Sequence, residues 1–207
     1  MTAEMFEPAS WDARYAGTEK IWSGRPNPQL VREVEPLAPG TALDVGCGEG
    51  GDVIWLAARG WQVTAADFSA NALARTAEHA REAGLSTQVD LWQVDARHFD
   101  PAGRTWDLVS THFMHPPAGG MVAVTAALAT AVAPGGHLLV VGHAPSEYFY
   151  HLSEDRARAM WRAADLLPAL PPDFTVVVAE DRPRQIERDG QMVDIEDATL
   201  LVRRVGP

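Results

Sequence analysis

The stretch Thr41-Ala-Leu-Asp-Val45, followed at once by Gly46-Cys-Gly48-Glu-Gly50-Gly51, decides the fold. A short, mostly apolar run that stops on a cluster of glycines reads as a buried strand entering a tight turn. Gly51 to Arg59 then places Val53, Ile54, Leu56 and Ala57 on one side of a helix, with Gly60 as its C-cap. Outward from this unit the pattern repeats. Gln62 to Ala66 reads as a second strand, Ser69 caps a helix from Ala70 to about Ala83, and Gln88 to Val94 is a third strand. Trp106 to Ser110 is a fourth strand, Met121 to Val132 a helix stopped by Pro134-Gly135-Gly136, and His137 to Val141 a fifth strand. Strands alternating with helices predict right-handed crossovers and a parallel sheet covered on both faces, a doubly wound α/β fold.

The tail breaks this rhythm. A helix from Glu154 to Leu167 leads through Pro168–Pro172 to a β-branched strand, Phe174 to Ala179. Asp189-Gly190, a strong hairpin dipeptide, precedes the last strand, Ala198 to Arg203, so an antiparallel pair is expected at the sheet's end. Residues 1–39, rich in Pro and Trp, suffice for a helix and a flap covering the site. With 207 residues, a single domain is expected, its core spanning 40–205.

The 28 acidic against 17 basic residues give a formal charge of −11, which argues against a nucleic-acid partner, since phosphate backbones need a concentrated basic surface. One cysteine, Cys47, excludes an intramolecular disulfide framework and a Cys-rich zinc site. Met1 to Pro8 carries no Lys or Arg, unlike a signal peptide, and the longest apolar stretch, Met121 to Ala133, is too short to span a bilayer. A cytoplasmic protein without a membrane partner, monomeric or homodimeric, is the expectation.

Gly46, Gly48 and Gly51 also satisfy the spacing of a dinucleotide-binding turn. Asp44, two residues before the first glycine, and Glu49 inside the turn argue against it, because a pyrophosphate wants a positive helix N-terminus without carboxylates beside it. A ligand carrying an ammonium and a sulfonium suits these acids, which describes S-adenosylmethionine (SAM). Asp44 would equally cap the turn's own amides. Asp67, closing the second strand, has the position of a ribose-binding carboxylate, and also that of a helix cap with Ser69. Phe68 beside it suits an adenine face or plain core. Asp95, after the third strand, can accept from an adenine amino group while the N–H of Ala96 reaches a ring nitrogen; it can also be a simple turn residue.

With these residues in view, the chain resembles the class I SAM-dependent methyltransferases over residues 40 to 205, Leu43-Asp-Val-Gly-Cys-Gly-Glu-Gly50 being their first motif. The resemblance implies a Rossmann-like sheet of order 3-2-1-4-5-7-6 with strand 7 antiparallel, and S-adenosylhomocysteine (SAH) as product. It places Asp44, Gly46, Cys47, Gly48, Asp67, Phe68, Asp95, Ala96 and His112 at the cofactor. Trp11-Asp-Ala-Arg-Tyr15 and Trp22-Ser-Gly-Arg-Pro-Asn-Pro28 are similar to the opening of thiopurine-, halide/thiol- and tellurite-type methyltransferases, whose aromatics fold over SAM. Trp11, Tyr15 and Trp22 would then attract the sulfonium through their ring faces. Arg14 and Arg25 are expected in solvent.

The fourth strand runs into Ser110-Thr-His112-Phe-Met-His115-Pro-Pro117, and His143 ends the fifth, followed by Tyr148 and His151. These lie where a methyl acceptor would sit. His115, with His143, is the expected base or orienter, histidine being matched to neutral pH. Packing histidines, or a metal held by His112, His115 and His143, are the competing readings, and no metal is predicted. The segment lacks the Asn-Pro-Pro-aromatic motif of nucleic-acid and protein amine enzymes and the carboxylates of catechol-type ones. A single cysteine cannot hold arsenite. A small-molecule acceptor is therefore expected, with a thiol or tellurite-type acceptor as the alternative and an NAD(P)-dependent oxidoreductase as a more distant one. The apolar segment Tyr148 to Trp161 is expected to line the acceptor pocket.

Overall fold

The computed structural model describes residues 7–17, 20–117, 119–152, 154–188 and 190–206. Two short helices open the chain, α1 (Pro8–Tyr15) and α2 (Pro28–Val34). Then β1 (Thr41–Val45), α3 (Gly51–Ala57), β2 (Gln62–Asp67), α4 (Ala70–Glu82), β3 (Val89–Gln93), β4 (Trp106–His112) and α5 (Gly120–Ala129) alternate as the periodicity predicts. The chain continues through β5 (Val132–His143), α6 (Glu147–Leu152), α7 (Glu154–Ala159), β6 (Phe174–Arg188) and β7 (Gln191–Arg204). The sheet order is β3-β2-β1-β4-β5-β7-β6, with β7 antiparallel to both neighbours and β1 through β5 parallel.

Alternation along each strand divides the core into two layers. Leu43, Val45, Val109, Leu138 and Val140 face α5 through Met121, Val124 and Leu128. Ala42, Leu108, Leu139 and Val141 face the other way, against Leu30 and Val34 of α2 and Val53 and Leu56 of α3. Strands buried on both faces explain why they read as apolar runs rather than alternating ones.

Three elements differ from expectation. Ala133-Pro-Gly-Gly136 is a bulged entry into β5 rather than a turn before it, the register against β4 slipping between Trp106 and Leu108. A side chain at Gly136 would meet the carbonyls of Asp107, Ala133 and Trp106 at 2.8 to 3.1 Å, so the bulge needs glycine there. The expected helix Glu154–Leu167 breaks after Ala159 and resumes as a 3-10 turn, Ala163–Ala169. Trp161 causes the break: its indole lies against Gly142, where a Cβ would come within 2.4 Å of the ring, and its backbone N–H reaches the His143 carbonyl at 3.4 Å. Finally, β6 and β7 run much longer than their apolar segments, as a polar hairpin whose cross-strand pairing continues to Arg188 and Gln191. Gly190 at its tip has φ +76°, as the turn requires, while Asp189 lies outside the described residues. Among the described residues no helix is long and apolar enough to cross a membrane.

Candidate active site

The glycine turn is built at the carboxyl end of the central strand. Gly46, Gly48 and Gly50 all have positive φ, which lets the chain double back tightly. The N–H groups of Gly46 and Cys47 both donate to the Ala66 carbonyl (2.8 and 3.1 Å), that of Gly48 to Asp67 Oδ2 (3.0 Å), and that of Gly50 to the Cys47 carbonyl (2.9 Å). A phosphate-binding turn must offer such amides to its ligand. Here they are already occupied, and the rim is carboxylate.

Asp67 accepts from Gly48 through one oxygen and from the Ser69 N–H (2.9 Å) through the other. Each oxygen keeps a lone pair for a further donor. Burial raises its pKa against the lowering effect of these two amides. Asp44 is buried on β1, accepts from Ser110 Oγ at 3.0 Å, and lies 3.5 Å from His112 Nδ1. The same nitrogen is 2.9 Å from Asp52 Oδ2, whose other oxygen accepts from the Asn27 N–H at 2.6 Å. Burial would hold the His112 imidazole neutral, but Asp52 and Asp44 outweigh it and push its pKa up to about 10. The donor atoms of Asp44, Asp52 and His112 lie within 4.8 Å of one another. His112 as imidazolium pairs with Asp52, whose pKa its charge lowers, while burial pushes the Asp44 carboxyl up against the lowering effect of His112 and Ser110. Asp52 was not singled out in the sequence; an acid in the first helical turn reads only as a favourable helix-dipole partner.

Asp95 stands at the next strand end but is clamped by Arg97, whose Nη2 lies 2.7 Å and whose Nε lies 3.1 Å from the carboxylate. It also caps the 3-10 turn Ala96–His98 through the Arg97 N–H. The arrangement is that of a turn residue rather than of a free adenine acceptor. Ala96 is buried in the core, Phe68 is half-buried with its carbonyl bound by Gln93 Nε2, and the Cys47 thiol points inward, 3.8 Å from Thr76 Oγ1.

The flap closes over this turn. Asp12 in α1 accepts from Ser69 Oγ (2.5 Å) and Asn71 Nδ2 (3.1 Å), docking α1 on the start of α4. Glu49 accepts the backbone N–H groups of Ile21 (3.2 Å) and Trp22 (2.9 Å) and pairs with Arg75, which also reaches the Gly17 carbonyl. Glu49 therefore fastens the flap instead of facing a ligand, which corrects the repulsive part expected of it from the sequence. Trp11 stacks on Tyr15 and Trp22, and the Trp22 indole N–H donates to the Tyr15 hydroxyl (3.0 Å). That hydroxyl would meet a Cβ at Gly48 at 2.9 Å, so the aromatic cap rests directly on the turn. Arg14 is exposed as expected yet stacked, its guanidinium 5.0 Å from the Trp11 ring centre. Arg25 is exposed.

Beyond β4 the residues alternate in target. His112 turns to Asp44 and Asp52, and the Met114 methyl lies 2.9 Å from where a Gly46 side chain would begin. Phe113 and His115 instead stack on His143 (4.4 and 5.3 Å between ring centres). Phe113 achieves this with φ +54°, a conformation that costs a non-glycine residue about 1–3 kcal/mol. The segment thus separates the glycine turn from a second, imidazole-lined face. His115 disagrees with its expected part as a base. Its Nε2 faces the His143 backbone N–H (3.3 Å), and burial together with His143 pulls its pKa down to about 3. His115, His112 and His143 also fail to converge as ligands, His112 being turned to the carboxylates. Met160 and Trp161 line a cleft with Pro116, Met121, Val122 and Leu166, whereas His151 is exposed.

A seven-stranded sheet of this order, with a glycine turn after its central strand, is the fold of the class I SAM-dependent methyltransferases. Residues 42–136 match a family described as a methyltransferase domain. It is similar to the N-methyltransferase NodS from Bradyrhizobium japonicum WM9, solved with SAH (17% identity, TM-score 0.71, 95% of this chain and 97% of that one). Among curated proteins it is 34% identical over 104 residues to a phosphatidylethanolamine N-methyltransferase of Cereibacter sphaeroides (50% of this chain, 51% of that one). It is 26% identical over 175 residues to Hemagglutinin 1 of Eikenella corrodens (83% of this chain, 51% of that one). The chain spans about half or less of the length of the curated relatives it matches.

Proposed function

We propose that this chain binds SAM at the glycine turn and transfers its methyl group to a small-molecule acceptor by direct in-line displacement. The observation that carries the reading is a turn whose amides are internally occupied and whose walls are the carboxylates Asp44 and Asp67. Such a site favours a cation and gives a pyrophosphate nothing to hold. The residues fit the cofactor: Asp67 keeps two lone pairs for ribose hydroxyls, Asp44 offers carboxyl oxygens to an ammonium, whose charge would favour its ionised form, and Tyr15 and Trp22 close the roof. When bound, SAM supplies an electrophilic methyl group on a cationic sulfur. The chain's own contribution is to position the two reactants and exclude water, which supplies much of the rate in such a transfer. On this reading the acceptor-side part falls to His143, which is partly exposed, rather than to His115, and the Met160–Trp161 cleft is the candidate apolar wall.

Two relatives carry N-methyltransferase in their names, and an amine or hydroxyl acceptor agrees with an imidazole-lined face. The acidic balance of the chain speaks for a small molecule over a phosphate backbone. A thiol or chalcogen acceptor is the second reading, supported by the Trp11–Tyr15–Trp22 cap. It requires transfer to dithiothreitol or tellurite that is indifferent to His143→Ala. Calorimetry on the full chain decides the cofactor: SAM and SAH bind and NAD does not, whereas tight NAD binding overturns the assignment in favour of an oxidoreductase.

A further inference from the structure

His143 is held in an unusual setting. Its ring stacks with Phe113 (4.4 Å, 30°), Phe149 (4.9 Å, 27°) and His115 (5.3 Å, 11°). Stacked rings cover its faces and favour its edges for polar contact. The Nδ1 edge is buried and makes no hydrogen bond, and it lies 3.5 Å from Asp197 Oδ1. The side chain is nonetheless 23% exposed, while its Nδ1 is buried. Asp197 is the direct cross-strand partner of His143 and is fully buried on β7. Arg184 of β6 donates to Asp197 Oδ1 from Nη2 at 3.0 Å, ion-pairs with Oδ2 through Nε at 2.8 Å without a hydrogen bond there, and lies over the Phe113 ring at 5.6 Å. Oδ1 keeps a lone pair beyond the one that Arg184 Nη2 takes, and the unpartnered His143 Nδ1 lies 3.5 Å from it.

We propose that Asp197, fixed by Arg184, holds His143 as the Nδ1–H tautomer with Nε2 bare toward the acceptor, making the methyl acceptor a molecule with an ionisable hydroxyl or amine proton. The inference rests on the methyltransferase reading and narrows its substrate class. Asp197 and Arg184 are positioning residues; His143 is the proton acceptor. In the step they serve, the proton of the acceptor's hydroxyl, or one proton of its protonated amine, passes to Nε2, and the freed lone pair forms the bond to the methyl carbon. The carbon–sulfur bond breaks with its electron pair remaining on sulfur, and the imidazolium, stabilised by Asp197, later returns its proton to water. Catalytic hydrogen bonds are often long before the reactants bind, so a gap of 3.5 Å is one that a small closure completes.

Long-range proton–nitrogen NMR on the full chain labelled with nitrogen-15 histidine and saturated with SAH reads the tautomer without any acceptor. The expected spectrum has His143 protonated at Nδ1 in the wild type and redistributed toward Nε2–H in Asp197→Asn, with SAH affinity unchanged within about two-fold. An Nε2–H ring in the wild type, or the same tautomer in both proteins, overturns the proposal; the wild-type spectrum decides by itself if the variant does not fold. Using phenol, benzylamine and dithiothreitol as probe acceptors, SAH formation with phenol or benzylamine falls about 100-fold or more in Asp197→Asn, with the KM for SAM preserved. Equal turnover in the variant, or wild-type turnover confined to dithiothreitol, sinks the inference. Loss of SAM and SAH binding in the wild type would instead sink the methyltransferase reading, leaving the tautomer to judge the dyad separately.

Discussion

Among single residues, His112 shows how two carboxylates overrule burial. A buried imidazole is ordinarily neutral, yet Asp52 and Asp44 hold this one charged up to about pH 10, against an ordinary 6.5. The contribution to stability is complete below about pH 6.5, where folded and unfolded chains are both protonated, and fades as pH climbs toward 10. The fall expected across that window is a few kcal/mol at most in order of magnitude, since a tenfold change in proton affinity is worth about 1.4 kcal/mol. Cys47 and Tyr15, both pushed up by burial, also titrate at the alkaline end. Comparison with His112→Gln isolates the histidine: chemical denaturation from pH 6 to 10 should give a steeper loss in the wild type than in the variant. Parallel pH profiles would show that the charge is absent from the folded chain.

Among elements, the N-terminal flap is held on by side chains rather than by a core. Helix α1 is short and buries Tyr15 alone of its residues, so its placement depends on Asp12, Glu49 and the aromatic stack. Glu49 makes three charge-assisted contacts at once, to Ile21, Trp22 and Arg75, each worth about 1.5–3 kcal/mol when made to an ionised group. Together these contacts outweigh burial and lower the Glu49 pKa, which marks it as ionised throughout the neutral range. Glu49→Ala should loosen residues 20–22 while leaving the sheet intact. Limited proteolysis near Trp22 then accelerates several-fold and SAM affinity drops, with far-UV circular dichroism unchanged. Unaltered cleavage and affinity would mean that the aromatic stack alone seats the flap.

Over the whole molecule, the long β6–β7 hairpin is tied back to the beginning of the chain. Arg182 on β6, 8% exposed, donates to Gln29 and Glu33 of α2, both at 2.7 Å, and to Glu180 at 2.9 Å. Removing it leaves Glu33, 11% exposed, with only the exposed Arg32 at 3.6 Å, and breaking such pairs costs about 3–5 kcal/mol when both partners are fully buried. Because Glu180 is 58% exposed, Arg182→Ala is expected near the lower end, about 3 kcal/mol, read as a reduced urea midpoint at constant slope. Arg182→Met, which keeps the stem's packing, should recover part of that loss only if packing contributes; a variant as stable as the wild type would show that α2 is held by Leu30 and Val34 alone.

Strands β1 to β5, the glycine turn and the acids at its rim are legible in the residue order alone. Such features are local: apolar runs, helix periodicity and turn glycines declare themselves within a few neighbouring residues. A terminal hairpin is legible too, though not its length, because β6 and β7 continue through alternating charged residues that carry no apolar signal. What each polar group faces emerges only once the chain is folded. Glu49 turns to the flap, Asp95 to Arg97 and His115 to the His143 backbone, while Asp52 and Asp197, unremarkable in sequence, become the partners of His112 and His143. Charge and hydrogen-bond pairing is set by strand register and by elements distant along the chain, so the residue types could be read in advance and their pairings could not.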